Sequence, residues 1–346
     1  MLGGGIFITQ NKVLPGSYIN VISATKATSN VGERGVVALI ANLGKSAGKV
    51  VEINRADYYK NPENYVDGSN ELSSDSHIAL REIFCHATKV YAYDTGTSYA
   101  PGDAIKALEP YEFNVVCEYS VSNPIITQGI KSWRDDMGKK CQLVTYNNKA
   151  NHEGIINVVS TAMTKQGGEV STFALTAWVA GAMAGCAINE SCTNMLYDGE
   201  LEIIVDKTQA ELEQCIKNGE VVFHRVYGDI RLLEDINSLT ETTDDKGEDF
   251  KSNQTIRVVD QIANDIARLF NTKYLGRIPN NGQGRISLWG DIVAHHRQLE
   301  EINAIEGFDP SLLTVEQGMN KKSVVINDVV TITNCMAQLY MTVIVQ

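Results

Sequence analysis

The chain of 346 residues is 43 % hydrophobic and 21 % charged, values of a folded protein without low-complexity tracts, and its length predicts two or three compact units. Its formal net charge of −12 excludes a dominant nucleic-acid surface, because displacing the counterions of phosphate requires clustered Lys and Arg. From position 251 onward nine basic residues balance nine acidic ones, so the entire excess lies in the first 250 residues: an acidic, solvated part precedes a neutral part suited to contact with like subunits.

The N-terminal stretch opens with Gly3, Gly4 and Gly5, continues into the apolar Ile6, Phe7 and Ile8, turns at Pro15-Gly16, and extends again through Tyr18, Ile19 and Val21. Two short strands with glycine and proline punctuation have no core of their own. Residues 1–24 are therefore expected to be an extended arm that finds a sheet elsewhere, with Gly3, Gly4, Gly5, Pro15 and Gly16 as hinges.

Residues 25–95 read as a small β-rich domain: VVALIANL and VVEI on either side of GKSAG predict a hairpin, and KVYAYD another strand. Residues 96–240 read as a central α/β domain, with a short helix at 103–108 and strands near 113–117 and 142–146. The apolar run 173–188 is broken only by Thr176 and carries Gly181 and Gly185 four apart. Sixteen residues of helix reach roughly 24 Å, short of the ~30 Å hydrocarbon core, and the small side chains suit a helix pressed against other protein, so no membrane insertion is expected. Thr208 and Glu211 form a capping box ahead of a helix that Gly219 stops, and VVFHRVY with DIRLLED predicts a hairpin turning at Gly228.

Residues 241–254 are polar and acidic and read as a linker. The C-terminal core domain, 255–336, should hold two amphipathic helices, with apolar stripes Ile256, Val259, Ile262, Ile266, Leu269 and Ile286, Trp289, Ile292, Leu299, Ile302, packed on a sheet that includes 323–333. Residues 337–346 form a final strand arm. There Leu339, Met341, Val343 and Val345 alternate with Tyr340, Thr342 and Ile344, so both faces are largely apolar, which is an aggregation hazard unless a partner sheet receives them. The fold class is thus a multidomain mixture of α+β and α/β, completed by extended terminal arms.

Apparent chemical motifs have plainer readings. DTGTS at 94–98 matches one half of an aspartic-protease site, whose chemistry needs two aspartates sharing a proton, and no second copy exists. GKSAG at 44–48 satisfies the pattern of a nucleophile elbow, but a strand follows Ser46 where a helix is required. His295 and His296 are adjacent on a helix, about 100° apart, and cannot face one metal together. Cys85, Cys117, Cys141, Cys186, Cys192, Cys215 and Cys335 are odd in number, scattered, without a C-x-x-C pair or a secretory signal, and predict reduced thiols in a cytoplasm. No catalytic residue, cofactor or metal is expected. The rival reading is a hydrolase using Ser46 or Asp94.

Four stretches together resemble the contractile tail sheath family, particularly the short sheaths of Gram-positive prophages and R-type bacteriocins. They are GGGIFITQNKVLPGSYINVIS with ERGVV, the small-residue helix TAWVAGAMAGCAINES ahead of NMLYDG, the pair VVDQIANDIARLFNTKYLGRIPNNGQGRISLWGDIVAHHRQL, and the closing QLYMTVIVQ. The resemblance implies a structural subunit assembled in a bacterial host cytoplasm, polymerising with itself as stacked hexameric rings. It implies further partners: an inner tail tube, a baseplate and a tail terminator. It implies contraction that drives the tube through a cell envelope, with the arms adding strands to neighbouring subunits. A non-contractile shell or tube protein would share such arms.

Overall fold

The computed structural model describes residues 32–66 and 75–345. In chain order it runs β1 (Val36–Ala41), β2 (Val50–Asn54), α1 (Arg55–Lys60), α2 (Asp75–Phe84), β3 (Lys89–Asp94), α3 (Pro101–Leu108), β4 (Val115–Val121), α4 (Pro124–Ser132), β5 (Gln142–Tyr146) and β6 (Ile155–Val158). Then come β7 (Ala162–Thr164), α5 (Leu175–Gly185), β8 (Leu201–Ile203), α6 (Gln209–Lys217), β9 (Glu220–Val221), β10 (Phe223–Val226) and β11 (Asp229–Leu232). The remainder is α7 (Asn253–Leu269), α8 (Gly282–Glu301), β12 (Ile305–Glu306), β13 (Thr314–Gln317), β14 (Val324–Asn327) and β15 (Thr331–Ile332).

A seven-stranded sheet in the order β2-β3-β1-β4-β5-β6-β9 organises the first two thirds of the chain. All neighbours are parallel except the edge pair β2–β3. Central strands of such a sheet are buried on both faces, which is why they read as unbroken apolar runs. In β1, Val37, Leu39 and Ala41 face a core shared with α2 and α5, whereas Ala38 and Ile40 face Ala104, Leu108, Ile126 and Ile130 of α3 and α4. The mixed α/β, multidomain class read from the sequence stands. The sheet nevertheless runs across position 95: β1, β2 and β3 share it with the strands that follow, so residues 36–94 are not a sheet of their own.

The hairpin expected around GKSAG does not form. β3 lies between β1 and β2, parallel to the first and antiparallel to the second. Both faces of β1 are apolar and demand cover, which places it inside the sheet, while the half-exposed β2 fits an edge. Other local expectations hold: α6 carries the full capping box of Thr208 and Glu211, Gly219 follows it at φ +66°, and β10–β11 turn through Tyr227 and Gly228, both at positive φ as a tight hairpin requires.

Helix α5 is buried along almost its whole length, and its glycines explain how. A Cβ added at Gly181 would fall inside 3.0 Å of the Ile83 carbonyl oxygen, and one at Gly185 inside 3.0 Å of the His86 carbonyl oxygen. The small-residue spacing therefore lets α5 lie directly on the backbone of α2 and the residues after it. No described helix is long and apolar enough to cross a membrane.

The acidic stretch 241–254 is tied down, not free. Phe250 is buried with Leu239 and Ile256, Asn237 donates to the Phe250 carbonyl, and α7 begins at Asn253. Beyond it, Val258, Ile262 and Ile266 of α7 share a core with Leu299 of α8, Ile305, Phe308 and Val330. The stripe foreseen for α8 is corrected at its start: Ile286 is 69 % exposed, and the buried face runs through Leu288, Ile292, His295, His296 and Leu299. The sequence 323–333 enters two separate two-stranded ribbons, β13–β14 and β12–β15, instead of one sheet.

Candidate assembly site

The residues that suggested catalysis are parts of one structural clasp. Asp94, fully buried at the end of β3, accepts the backbone N–H groups of Leu43 (2.9 Å) and Gly44 (3.2 Å) on Oδ1 and those of Lys45 (2.9 Å) and Ser46 (2.6 Å) on Oδ2, while Gly96 donates at 3.0 Å. Burial disfavours the charge, but the N–H donors of Ser46, Gly96, Leu43 and Lys45 outweigh it and hold the carboxyl below its ordinary value. The glycine-rich loop is an anion nest already filled by the chain's own carboxylate. What it does chemically is fix the exit of β1.

The paired histidines are buried in the C-terminal core. His295 contacts Asp265 at 3.1 Å and burial lowers its pKa; the His296 Nδ1–H donates to the Ile292 carbonyl at 2.7 Å, and its ring stacks on Phe308 at 4.5 Å between centroids. Asp135, His152 and Glu153 have donor atoms close enough to surround a metal ion. They do not fit one: His152 Nδ1 already accepts the Gly154 N–H at 2.9 Å, and the Lys246 ammonium sits on Glu153 at 2.9 and 3.0 Å. All seven cysteines are free thiols, and only Cys335 is exposed.

A feature missed from sequence is the polar side of α7. Arg134, after α4, donates to both oxygens of Asp260 at 2.6 and 2.8 Å, and Arg257 donates to Asp235 at 2.9 Å, all four side chains being less than a tenth exposed. Arg34 reaches the carbonyls of Met183 and Cys186 and the Gln261 side chain. The only signal was polar spacing, Arg257, Gln261 and Asp265 on one face and Asp260 beside it, inside an apolar-periodic helix. These pairs fasten α7 to the seven-stranded sheet unit on one side while its apolar side serves the C-terminal core.

The candidate assembly residues fall into two groups. Ile6, Phe7, Ile8, Tyr18, Ile19 and Val21, with the hinges Gly3, Gly4, Gly5, Pro15 and Gly16, lie outside the described residues. Leu339, Met341, Val343 and Val345 are 87, 76, 69 and 89 % exposed, belong to no strand, and alternate with the equally open Tyr340 and Ile344. In the same C-terminal part, β13–β14 and β12–β15 are each only two strands wide, so every strand has one edge without a ladder partner among the described residues. The half-buried Val315, Val324 and Ile326 place the β13–β14 ribbon against Tyr274, Leu288 and Ile292.

Comparison with known proteins places this architecture. The description "phage tail sheath protein central domain" matches residues 94–238, and "phage tail sheath C-terminal domain" matches 245–346. The tail sheath protein of Clostridium phage phiCD119 is 31 % identical over 223 residues, 64 % of this chain and 61 % of that one. The sheath tail protein of Desulfitobacterium hafniense superposes with a TM-score of 0.76 at 24 % identity over 92 % of this chain and 96 % of the other. The helical sheath of the anti-feeding prophage in its contracted state gives a TM-score of 0.71 at 15 % identity over 97 % and 99 %. The chain spans between 30 and 61 % of the lengths of the curated relatives it matches.

The fold is that of structural proteins of tail sheaths, as the matched family and the structural neighbours are described. Matched by both domain descriptions over most of its length, the chain belongs to the phage tail sheath family.

Proposed function

We propose that this chain polymerises in a bacterial host cytoplasm as stacked hexameric rings around an inner tail tube, between a baseplate and a tail terminator, and contracts to drive the tube through a target envelope. The observation that carries the reading is the open, alternating apolar segment 339–345, in a chain whose C-terminal ribbons also leave edges without a ladder partner among the described residues. An extended segment of this composition is stable in water only when a sheet edge receives it. Received by a neighbour, about five backbone hydrogen bonds at ~0.5 to 1.5 kcal/mol each contribute a few kcal/mol per link. Every subunit giving and receiving such links makes a mesh that holds while its folded bodies rearrange. The same logic extends to Ile6–Ile8 and Tyr18–Val21 as a second donated arm, with the glycines and Pro15-Gly16 as hinges. Support for contraction comes from the fold likeness to a sheath described in its contracted state.

The test is removal of residues 339–346 followed by electron microscopy. A folded subunit that no longer forms tubes supports strand donation; normal tubes from the truncated protein would refute it. Tubes that form but never shorten under mild denaturant or low pH would instead favour a non-contractile shell.

A further inference from the structure

Charge is distributed unevenly over this molecule in a way the fold alone does not require. Between Leu269 and Gly290 there is no acidic residue, and Arg277 and Arg285 stand there with Lys321 and Lys322 on the neighbouring turn. The two turns are stitched together, since Asn280 donates to the carbonyls of Lys321 (3.2 Å) and Ser323 (2.8 Å), and Arg285 donates to Asn280. Arg285, Lys322, Ile278 and Pro279 line one small open pocket, and Ile286 close by is 69 % exposed. None of the four cations makes an ion pair among the described residues. Lys273, the remaining cation of this stretch, is taken by Asp291.

The opposite sign gathers on the stretch 241–249. Glu241, Asp244, Asp245, Glu248 and Asp249 are exposed, Lys246 in their midst is turned inward onto Glu153, and Glu248 is paired with Lys251. Asp244, Asp245 and Asp249 make no ion pair among the described residues. Phe250, buried against Leu239 and Ile256, holds this stretch in place, so its carboxylates form a fixed ridge, not a random tail.

Resting on the reading of the chain as a self-assembling sheath subunit, we propose that the basic and apolar face of Arg277, Arg285, Lys321 and Lys322, with Ile278, receives the acidic ridge 241–249 of a second copy. The two patches lie on one chain but do not pair within it, and all of the chain's negative excess precedes position 251. A contact between two different patches of identical subunits is head-to-tail, the kind that closes into a ring or repeats along a helical lattice. Opposed charges would set the register of neighbours and weaken with salt over a Debye length of about 8 to 10 Å.

The experiment mixes 14N- and 15N-labelled full-length chain, treats it with a zero-length carbodiimide that joins only touching amines and carboxylates, and reads intermolecular links by mass spectrometry, alongside microscopy for tubes. Links from Lys321 or Lys322 to Asp244, Asp245 or Asp249 of the other isotope are expected, whether or not tubes are long. Exchanging the signs, with Lys321→Glu and Lys322→Glu, should raise the concentration for half-assembly at low salt by roughly tenfold or more, and adding Asp244→Lys and Asp245→Lys should restore it. Tubes without these links, or links from Lys321 and Lys322 to other carboxylates, overturn the contact while leaving the sheath reading intact. Links without tubes would sustain the contact and sink the polymer reading. Neither links nor tubes would overturn both.

Discussion

The backbone N–H of Ser46 donates to the Asp94 carboxylate at 2.6 Å, so the two residues that suggested a hydrolase are donor and acceptor in a single buried clasp. The contact uses the main chain of Ser46 and leaves its hydroxyl without a role. It also spends the Asp94 charge on a loop, which is the opposite of what an aspartic-protease dyad needs.

From this clasp follows a first expectation. Asp94→Asn sets an amide NH2 against N–H donors and should cost about 1 to 3 kcal/mol, whereas Ser46→Ala should change stability by less than about 0.5 kcal/mol. Because the folded pKa of Asp94 is lowered, its contribution is present above the unfolded carboxyl value and fades as pH falls through the lower, folded one. Urea unfolding of wild type and Asp94→Asn should therefore converge below about pH 4. A constant gap down to pH 2 would show that the charge is not what the loop reads.

Two other buried carboxyls work in the opposite sense. Burial raises Glu82 and Glu118 to about 7, although Tyr197 and the Glu200 N–H serve the first and Thr145 and the Asn123 N–H the second. A raised carboxyl pKa means the folded state holds protons the unfolded chain releases, so stability falls as pH climbs from about 4.5 to 7 and the loss is complete above that. Glu118→Gln, neutral throughout, should flatten this slope and be the more stable protein at pH 8, by an amount on the order of a few kcal/mol. Denaturation midpoints at pH 5, 6, 7 and 8 test it; equal slopes for variant and wild type would contradict the assignment.

The Arg134–Asp260 pair makes a third case. Asp260→Leu or Arg134→Met alone leaves a buried charge without its partner and should cost about 3 to 5 kcal/mol, while the two together should recover most of that loss. Equilibrium unfolding of the two single variants and the double variant measures the coupling. Simple additivity of the single losses would mean that the pair does not act as a unit.

Helix approach gives the fourth. Gly181→Ala forces α5 away from the Ile83 carbonyl and should lower stability by about 1 to 3 kcal/mol, despite alanine's better helix propensity. Gly102→Ala in α3, where nothing lies within 4 Å of the added methyl, is the control and should be neutral or stabilising. Thermal melts that rank the two variants the other way round would remove the close-packing account of the small-residue helix.

Much of the fold was legible because the residues concerned answer to their own neighbours in sequence. The capping box at Thr208 and Glu211, the turn at Tyr227 and Gly228, and the strand Gln142–Tyr146 depend on periodicity and backbone freedom, which composition exposes directly. Strand order was not legible in the same way. Nothing local tells β1 and β2 to admit β3 between them, and the preference of a doubly apolar strand for the sheet interior acts only once helices cover both faces. Ile286 misled for a related reason: it sits on the same helical arc as Trp289, but the ribbons and α7 cover only part of that arc.

The sequence by itself determined that this chain carries an acidic excess confined to its first 250 residues, a charge-balanced remainder, and alternating apolar residues at 339–345, since charge and pattern are sums over residues wherever they lie. Only the tertiary structure decided what the apparent motifs are for. It brought Asp94 to the loop of Ser46 and Arg134 to Asp260 across 48 and 126 positions of sequence, and buried polar groups take their meaning from partners that chain separation hides.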